Sequence, residues 1–357
     1  MELVNQTALA ARLDIGRTNG AGRRCGLLVA KATFRIDDDG STPLETQDPH
    51  PLFGAGETSA LGDLPRDDLP RNDHAFEVAL LGSAYAPTGS PVGRRRVGLS
   101  VGAARQEIVV IGDREWISSG DDARISEPEP FTRMALTWAR AFGGRTDVDV
   151  DVDSPVEIEH ATNPLGVGFD PAGQARELDA FLSCPPGFPR FARARRLPNL
   201  ERPDALIDHW SDAPKPACFA PVPPGSALHL ERLITADHIA AGKVDESVGR
   251  AIKAAELLQA HPDWVLERAP EAGAPVVIDG MSPMGRIAFA FPKLTVHLDY
   301  VLGARTGTKQ LRAHALLLLP EEMRFTVVYR LPFEVDAPNG EERGARLRIE
   351  GANGGKA

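Results

Sequence analysis

LRAHALLLLPEEMRFTVVYRL, residues 311–331, sets two apolar runs on either side of Pro320-Glu321-Glu322. The first runs from Leu311 to Leu319 and the second from Met323 to Leu331. The second run is rich in aromatic and β-branched residues, and the break carries a proline, which cannot extend a hydrogen-bonded ladder. The stretch therefore reads as a β-hairpin. Upstream, Leu294, Val296, Leu298, Tyr300 and Leu302 alternate with Thr295, His297 and Asp299, the period of another strand.

The first third of the chain repeats the pattern. Val92–Val101 and Gln106–Ile111 flank a Gly102-Ala103-Ala104 turn, with Arg94 and Arg96 on one face and Val97, Leu99 and Val101 on the other. Phe76–Tyr85 is a further strand candidate, and Cys25–Ile36 reads as a half-buried one. Residues 41–74 show no period and read as a long connection. One segment, 237–260, has helical spacing, with Val248, Ile252, Ala255 and Leu258 on one stripe and His261-Pro262 as the stop. The expected fold is mainly β: antiparallel, β-sandwich-like lobes with long wrapped loops and one amphipathic helix. An N-terminal β-rich lobe is expected over 1–225. A C-terminal lobe over 226–357 carries helix 237–260 and hairpin 311–331. The 34 glycines and 30 prolines, spread along the chain, suit many turns and short extended elements.

A net charge of -10 weighs against nucleic acid or an anionic membrane surface as the main partner. Two basic groups run against it, Arg94-Arg95-Arg96 and Arg190, Arg193, Arg195 and Arg196. Neither is interleaved with aromatics, so both read as solvated edges or loops. Cys25, Cys184 and Cys218 are too few and scattered for a disulfide framework. The first residues show no basic segment leading into an apolar one, and no apolar run approaches about 20 residues. A cytoplasmic protein without a membrane span is expected.

Little in the chain points to chemistry. Asp147, Asp149, Asp151 and Asp153 alternate with valines in DVDVDVD, which reads as an acidic edge because no Gly or Asn supplies the bends of a calcium loop. The nine histidines form no HxH or HxxxH pair, and no Cys–His spacing suits zinc. GxSxG, GxxxxGK[ST] and GxGxxG are absent. Asp113, Glu115, Glu127 and Glu129 are the carboxylates from which a hydrolase would have to draw an acid–base pair. Pairing of Glu127 and Glu129 with Arg124 and Arg133, or with backbone donors in the turns around Pro128 and Pro130, is the simpler expectation. No catalytic residue, metal or cofactor is assigned.

The densest information lies in EPEPFTRMALTWARAFGG (127–144) and NPLGVGF (163–169). Met134, Leu136 and Trp138 alternate with smaller residues, and the run ends in Gly143-Gly144. Aromatics beside Gly and Pro are either buried pins of irregular loops or anchors of an interface. The residues singled out for partner binding are Tyr85, Trp116, Phe131, Arg133, Trp138, Phe142, Asn163 and Phe169.

FEVALLGSAYAPTGSPV, IVVIGDREW, EPEPFTRMALTWARAFGG, NPLGVGF, RRLPNLERP and ACFAPVPP follow in this order between Phe76 and Pro224. Together they resemble a bacterial domain-of-unknown-function family encoded in type VI secretion effector clusters, beside PAAR-like spike-tip proteins, VgrG spike proteins and toxic effectors. The N-terminal 24 residues and the 226–264 segment depart from that pattern. The resemblance implies a non-enzymatic adaptor or chaperone that binds a PAAR-like protein or effector and helps load it on the VgrG spike. A carboxylate-dependent hydrolase is one alternative, and a structural β subunit that travels with the spike is another.

Overall fold

The 311–331 stretch forms strands Arg312–Leu319 and Arg324–Glu334, paired antiparallel around a tight turn in which Met323 takes a left-handed φ of 52°. The computed structural model describes residues 2–18, 24–53, 75–87, 90–119, 122–149, 155–170, 196–223, 226–230, 257–334 and 343–351. The hairpin is the middle of a six-stranded sheet in the order 265–266, 76–80, 312–319, 324–334, 24–35, 10–18. Phe76–Leu80 pairs parallel with the hairpin; the other neighbours are antiparallel.

The second large sheet grows from the other hairpin. Strands Arg94–Val101 and Ala104–Ile111 are joined by Gly102-Ala103, with Gly102 at φ +59°, the left-handed backbone that primed two-residue turns use. Val97, Leu99 and Val101 are buried while Arg94 and Arg96 are exposed, as the alternation predicts. This sheet runs 200–201, 104–111, 94–101, 275–279, 286–290. Phe289 of this sheet stacks on Phe325 of the six-stranded sheet at 4.8 Å, and Phe325 stacks on Phe34 at 5.0 Å, so the two inner faces share one core. A four-stranded sheet (2–5, 343–350, 295–302, 305–310) extends it.

The fold is mainly β, as expected. Both large sheets draw strands from either side of residue 225, so they draw no line between 1–225 and 226–357. Of the expected helix 237–260, residues 237–256 lie outside the described residues; Leu258 and Ala260 are buried and lead into a short 3-10 turn at Pro262–Trp264. Cys184 and the Arg190–Arg195 group also lie outside them, as do Asp151 and Asp153; Asp147 and Asp149 fall in strand Arg145–Asp149.

One strand departs from expectation. Arg24–Arg35 is buried on both faces over most of its length, with Lys31 and Thr33 at 0% exposure. The irregular segment after it folds back as a cover. Lys31 Nζ donates to the Pro51 carbonyl at 2.8 Å and lies 3.3 Å from the centre of the Phe53 ring, and Thr33 Oγ1 accepts from His50 N. A polar residue is legible as buried only once its distant partner is known.

Candidate functional site

The motif segments meet in a hub built from loops. It starts where strand Ala104–Ile111 leaves the sheet at Gly112. Gly112 N donates to the Gly93 carbonyl, and Glu129 N donates to the Asp113 carbonyl, both at 2.9 Å. The two loops run back to back, so closely that a Cβ on Gly112 would overlap the Glu129 carbonyl. Phe131 then exchanges two backbone bonds with Val92 and is buried, and strand Arg133–Ala135 pairs with Ser83–Tyr85.

Met134, Leu136 and Trp138 are buried in the core, Trp138 among them although it was singled out for partner binding. The chain turns there through a 3-10 element, Trp138–Arg140. The Trp138 indole donates to the Ala220 carbonyl at 3.0 Å and stacks on His261. Burial pushes His261 below the usual imidazole range, so the ring is held neutral. The Cys218 thiol is fully buried and pushed up to about 12, which makes it a packing residue rather than a nucleophile.

Two asparagines close the loops. Asn163, at 0% exposure, donates its side-chain amide to the Trp138 and Phe142 carbonyls, both at 2.9 Å, while its backbone carbonyl accepts from Gly144 N at 2.8 Å. Asn199 donates to the Ile111 carbonyl and to Asp113 Oδ1 at 2.9 Å and accepts from Arg140. Each thus ties a strand end to a neighbouring loop or turn through its side-chain amide. Gly143 (φ +140°) and Gly144 (φ +113°) pass against the 163–167 backbone where a Cβ would collide. His160 packs edge-on against both Phe142 (5.3 Å) and Phe169 (5.0 Å). Phe142, Leu197 and Ile207 form a small satellite core with Trp116 and Ile125 against it.

Beside that core, Arg114 donates to Glu201 in a buried ion pair, with side chains 4% and 0% exposed. Glu201 also accepts from Ile207 N at 3.0 Å. Burial raises the Glu201 carboxyl above its ordinary range despite Arg114, and burial lowers Arg114 in turn. At the rim, Arg133 donates to Ser83 Oγ at 3.0 Å and to Glu321 at 2.7 Å, with the Tyr85 ring 5.8 Å away. Burial and the Glu321 carboxylate raise the Tyr85 phenol.

The residues singled out for partner binding thus divide. Trp138 and Phe142 are 1% exposed, Asn163 0% and Phe131 8%, so these four hold the fold and offer no surface to a partner. Tyr85, Trp116 and Phe169 are half-buried and Arg133 is exposed. Asn163, Trp138, Phe142, Phe169 and Trp116 belong to one constellation; Tyr85 and Arg133 form another. The expected pairing of Arg133 with Glu127 or Glu129 is replaced by Glu321, from the turn of the 312–334 hairpin. Asp113 is engaged by Arg140 and Asn199, while Glu115, Glu127 and Glu129 are exposed. Among the described residues no three His, Cys, Asp or Glu side chains group as a metal site.

Asn199, Glu201 and Glu321 were not among the residues singled out for binding, although Asn199 and Glu201 stand in the RRLPNLERP motif. An Asn in such a motif, between Pro198 and an apolar residue, was the available signal. Replacing Asn163 with Ala removes donors from two buried carbonyls, a loss of about 2–6 kcal/mol at 1–3 kcal/mol per orphaned group. Chemical denaturation should show this loss, with Asn163→Asp partly restoring the fold only under acidic conditions, where its carboxyl can donate.

A protein-family profile described as "Uncharacterized protein conserved in bacteria (DUF2169)" matches residues 21–330. No curated protein and no solved structure matches the chain.

Proposed function

The chain belongs to the DUF2169 family, and from that premise we infer that it is an adaptor or chaperone of type VI secretion. In this reading it binds a PAAR-like spike-tip protein or a toxic effector and helps load it on the VgrG spike. The observation that carries it is the hub. Motif residues from 82–86, 112–116, 129–144, 163–169 and 198–201 are spent on holding loops in one fixed shape, by buried amides, close glycine contacts and an enclosed ion pair. A rigid loop surface costs backbone order without a catalytic return, and recognition of another protein is the use that fits it. The hub also carries exposed apolar side chains, Leu165 at 45% and Leu206 at 37%. Asp113, one of the carboxylates of the hydrolase alternative, is tied to Arg140 and Asn199 instead.

Fractionation of secreting cells separates the adaptor from a subunit that leaves with the spike. The adaptor reading predicts that the protein stays in the cell pellet and co-purifies with a neighbouring gene product. Its accumulation in the medium with the spike would overturn that reading in favour of a structural subunit.

A further inference from the structure

A cleft of about 740 Å³ opens at the corner where strand Arg305–Gln310 of the four-stranded sheet passes into Arg312–Leu319 of the six-stranded one. Its floor is apolar and aromatic, with Phe76, Phe291 and Leu311 buried and the two rings in edge contact at 6.0 Å. Tyr329 also lines it. That residue is 3% exposed, and it stands in the wall of the cleft. A phenol at a cleft wall can donate a hydrogen bond to a bound group.

The rim is charged in the opposite sense to the chain. Arg268, Lys293 and Arg312 are exposed there, none with an ion-pair partner among the described residues, against Glu267 as the sole carboxylate of the lining. In a protein of net charge -10, three cations with no ion-pair partner among the described residues, set around an aromatic floor, form a local exception.

Among the described residues, one flank of the ladder at this corner carries no strand pairing. Parallel pairing with Phe76–Leu80 begins at Ala315↔Glu77, so among the described strands Arg312 and Ala313 are laddered on one side only. The register slips at His314, between Ala313 and Ala315, a bulge of the kind that re-aims side chains beside functional sites.

We propose that this cleft captures an extended acidic segment of a partner protein, seating an apolar side chain on Phe76, Phe291 and Leu311, with its carboxylates toward Arg268, Lys293 and Arg312. The Tyr329 hydroxyl donates to the captured segment, and the open flank of Arg312–Ala313 lies along its backbone. The proposal deepens the adaptor reading and rests on it for the partner being a protein. Phe76–Leu80 links the two regions, since it starts at the cleft and runs on toward Gly82–Tyr85 of the hub.

The test is fluorescence anisotropy of the full chain with a labelled peptide of alternating Asp and Leu, against one of alternating Lys and Leu. Saturable binding of the acidic peptide alone is expected, weakening as salt rises. The Arg268→Glu/Arg312→Glu variant should weaken it by at least about tenfold and Tyr329→Phe by about fivefold, with unchanged melting. Equal binding of both peptides, binding of neither, or indifference to the charge reversal would overturn the proposal. So would binding of phenylpropionate without the peptide, which would make the cleft a small-acid pocket. A neighbour complex that survives the charge reversal would sink the cleft proposal and leave the adaptor reading standing. Absence of any neighbour complex, with acidic peptide still bound, would do the reverse.

Discussion

Gly112→Ala should lower stability by about 3 kcal/mol or more, the upper end of what overpacking costs. The added methyl would overlap the Glu129 carbonyl, and its next contacts are also backbone atoms of Glu129. No flexible side chain is there to swing away. The 112–113 and 128–131 loops must separate, which breaks the bond from Glu129 N to the Asp113 carbonyl and disturbs Asn199, whose amide holds both Ile111 and Asp113. Gly98→Ala is the control. It is also a strand-associated glycine, but its Cβ would meet nothing closer than 3.7 Å, so its cost should stay below about 1 kcal/mol. Denaturant melts of the two variants decide the matter. Equal midpoints would mean that the loops at Gly112 are not locked as described.

Arg114→Met should cost about 3–5 kcal/mol at neutral pH, because it leaves the Glu201 carboxylate enclosed without its cation. The loss should depend on pH in a defined direction. With Arg114 gone, the folded-state pKa of Glu201 stands further above its unfolded value. Such a group contributes stability below the unfolded pKa and loses it as pH rises toward the folded one. The variant should therefore be closest to wild type in acid and fall away on titration to neutrality. Removing both charges, as Arg114→Met with Glu201→Leu, should recover much of the loss, since a buried pair and an apolar pair of similar volume are often nearly equivalent. A pH-independent deficit, or a double variant as weak as the single one, would contradict the account.

The elements that alternate locally were legible in the sequence. The 94–101/104–111 and 312–319/324–334 hairpins both follow from neighbours a few residues apart. What escaped depends on partners far along the chain. Asn199 reaches Ile111 across 88 residues, Arg114 reaches Glu201 across 87, and Arg133 reaches Glu321 across 188. No local pattern marks such pairs. Lys31 shows the same limit, because its burial depends on Pro51 and Phe53 folding back over a strand that alone would read as half-exposed. At the hub, the clustering of aromatics with Gly and Pro was visible, but whether each faces in or out was not. Trp138 and Phe142 face in, which moves any partner-facing role to residues such as Leu165 and Leu206.

The central claim is that the hub is the face of an adaptor, and co-purification of the chain with its genomic neighbours tests it most directly. The wild-type protein should bring down the PAAR-like protein or the effector. A Leu165→Asp/Leu206→Asp variant, with the same melting behaviour because both side chains are exposed, should lose that partner. A wild-type chain that brings down no neighbour, or a complex indifferent to both substitutions, would contradict it.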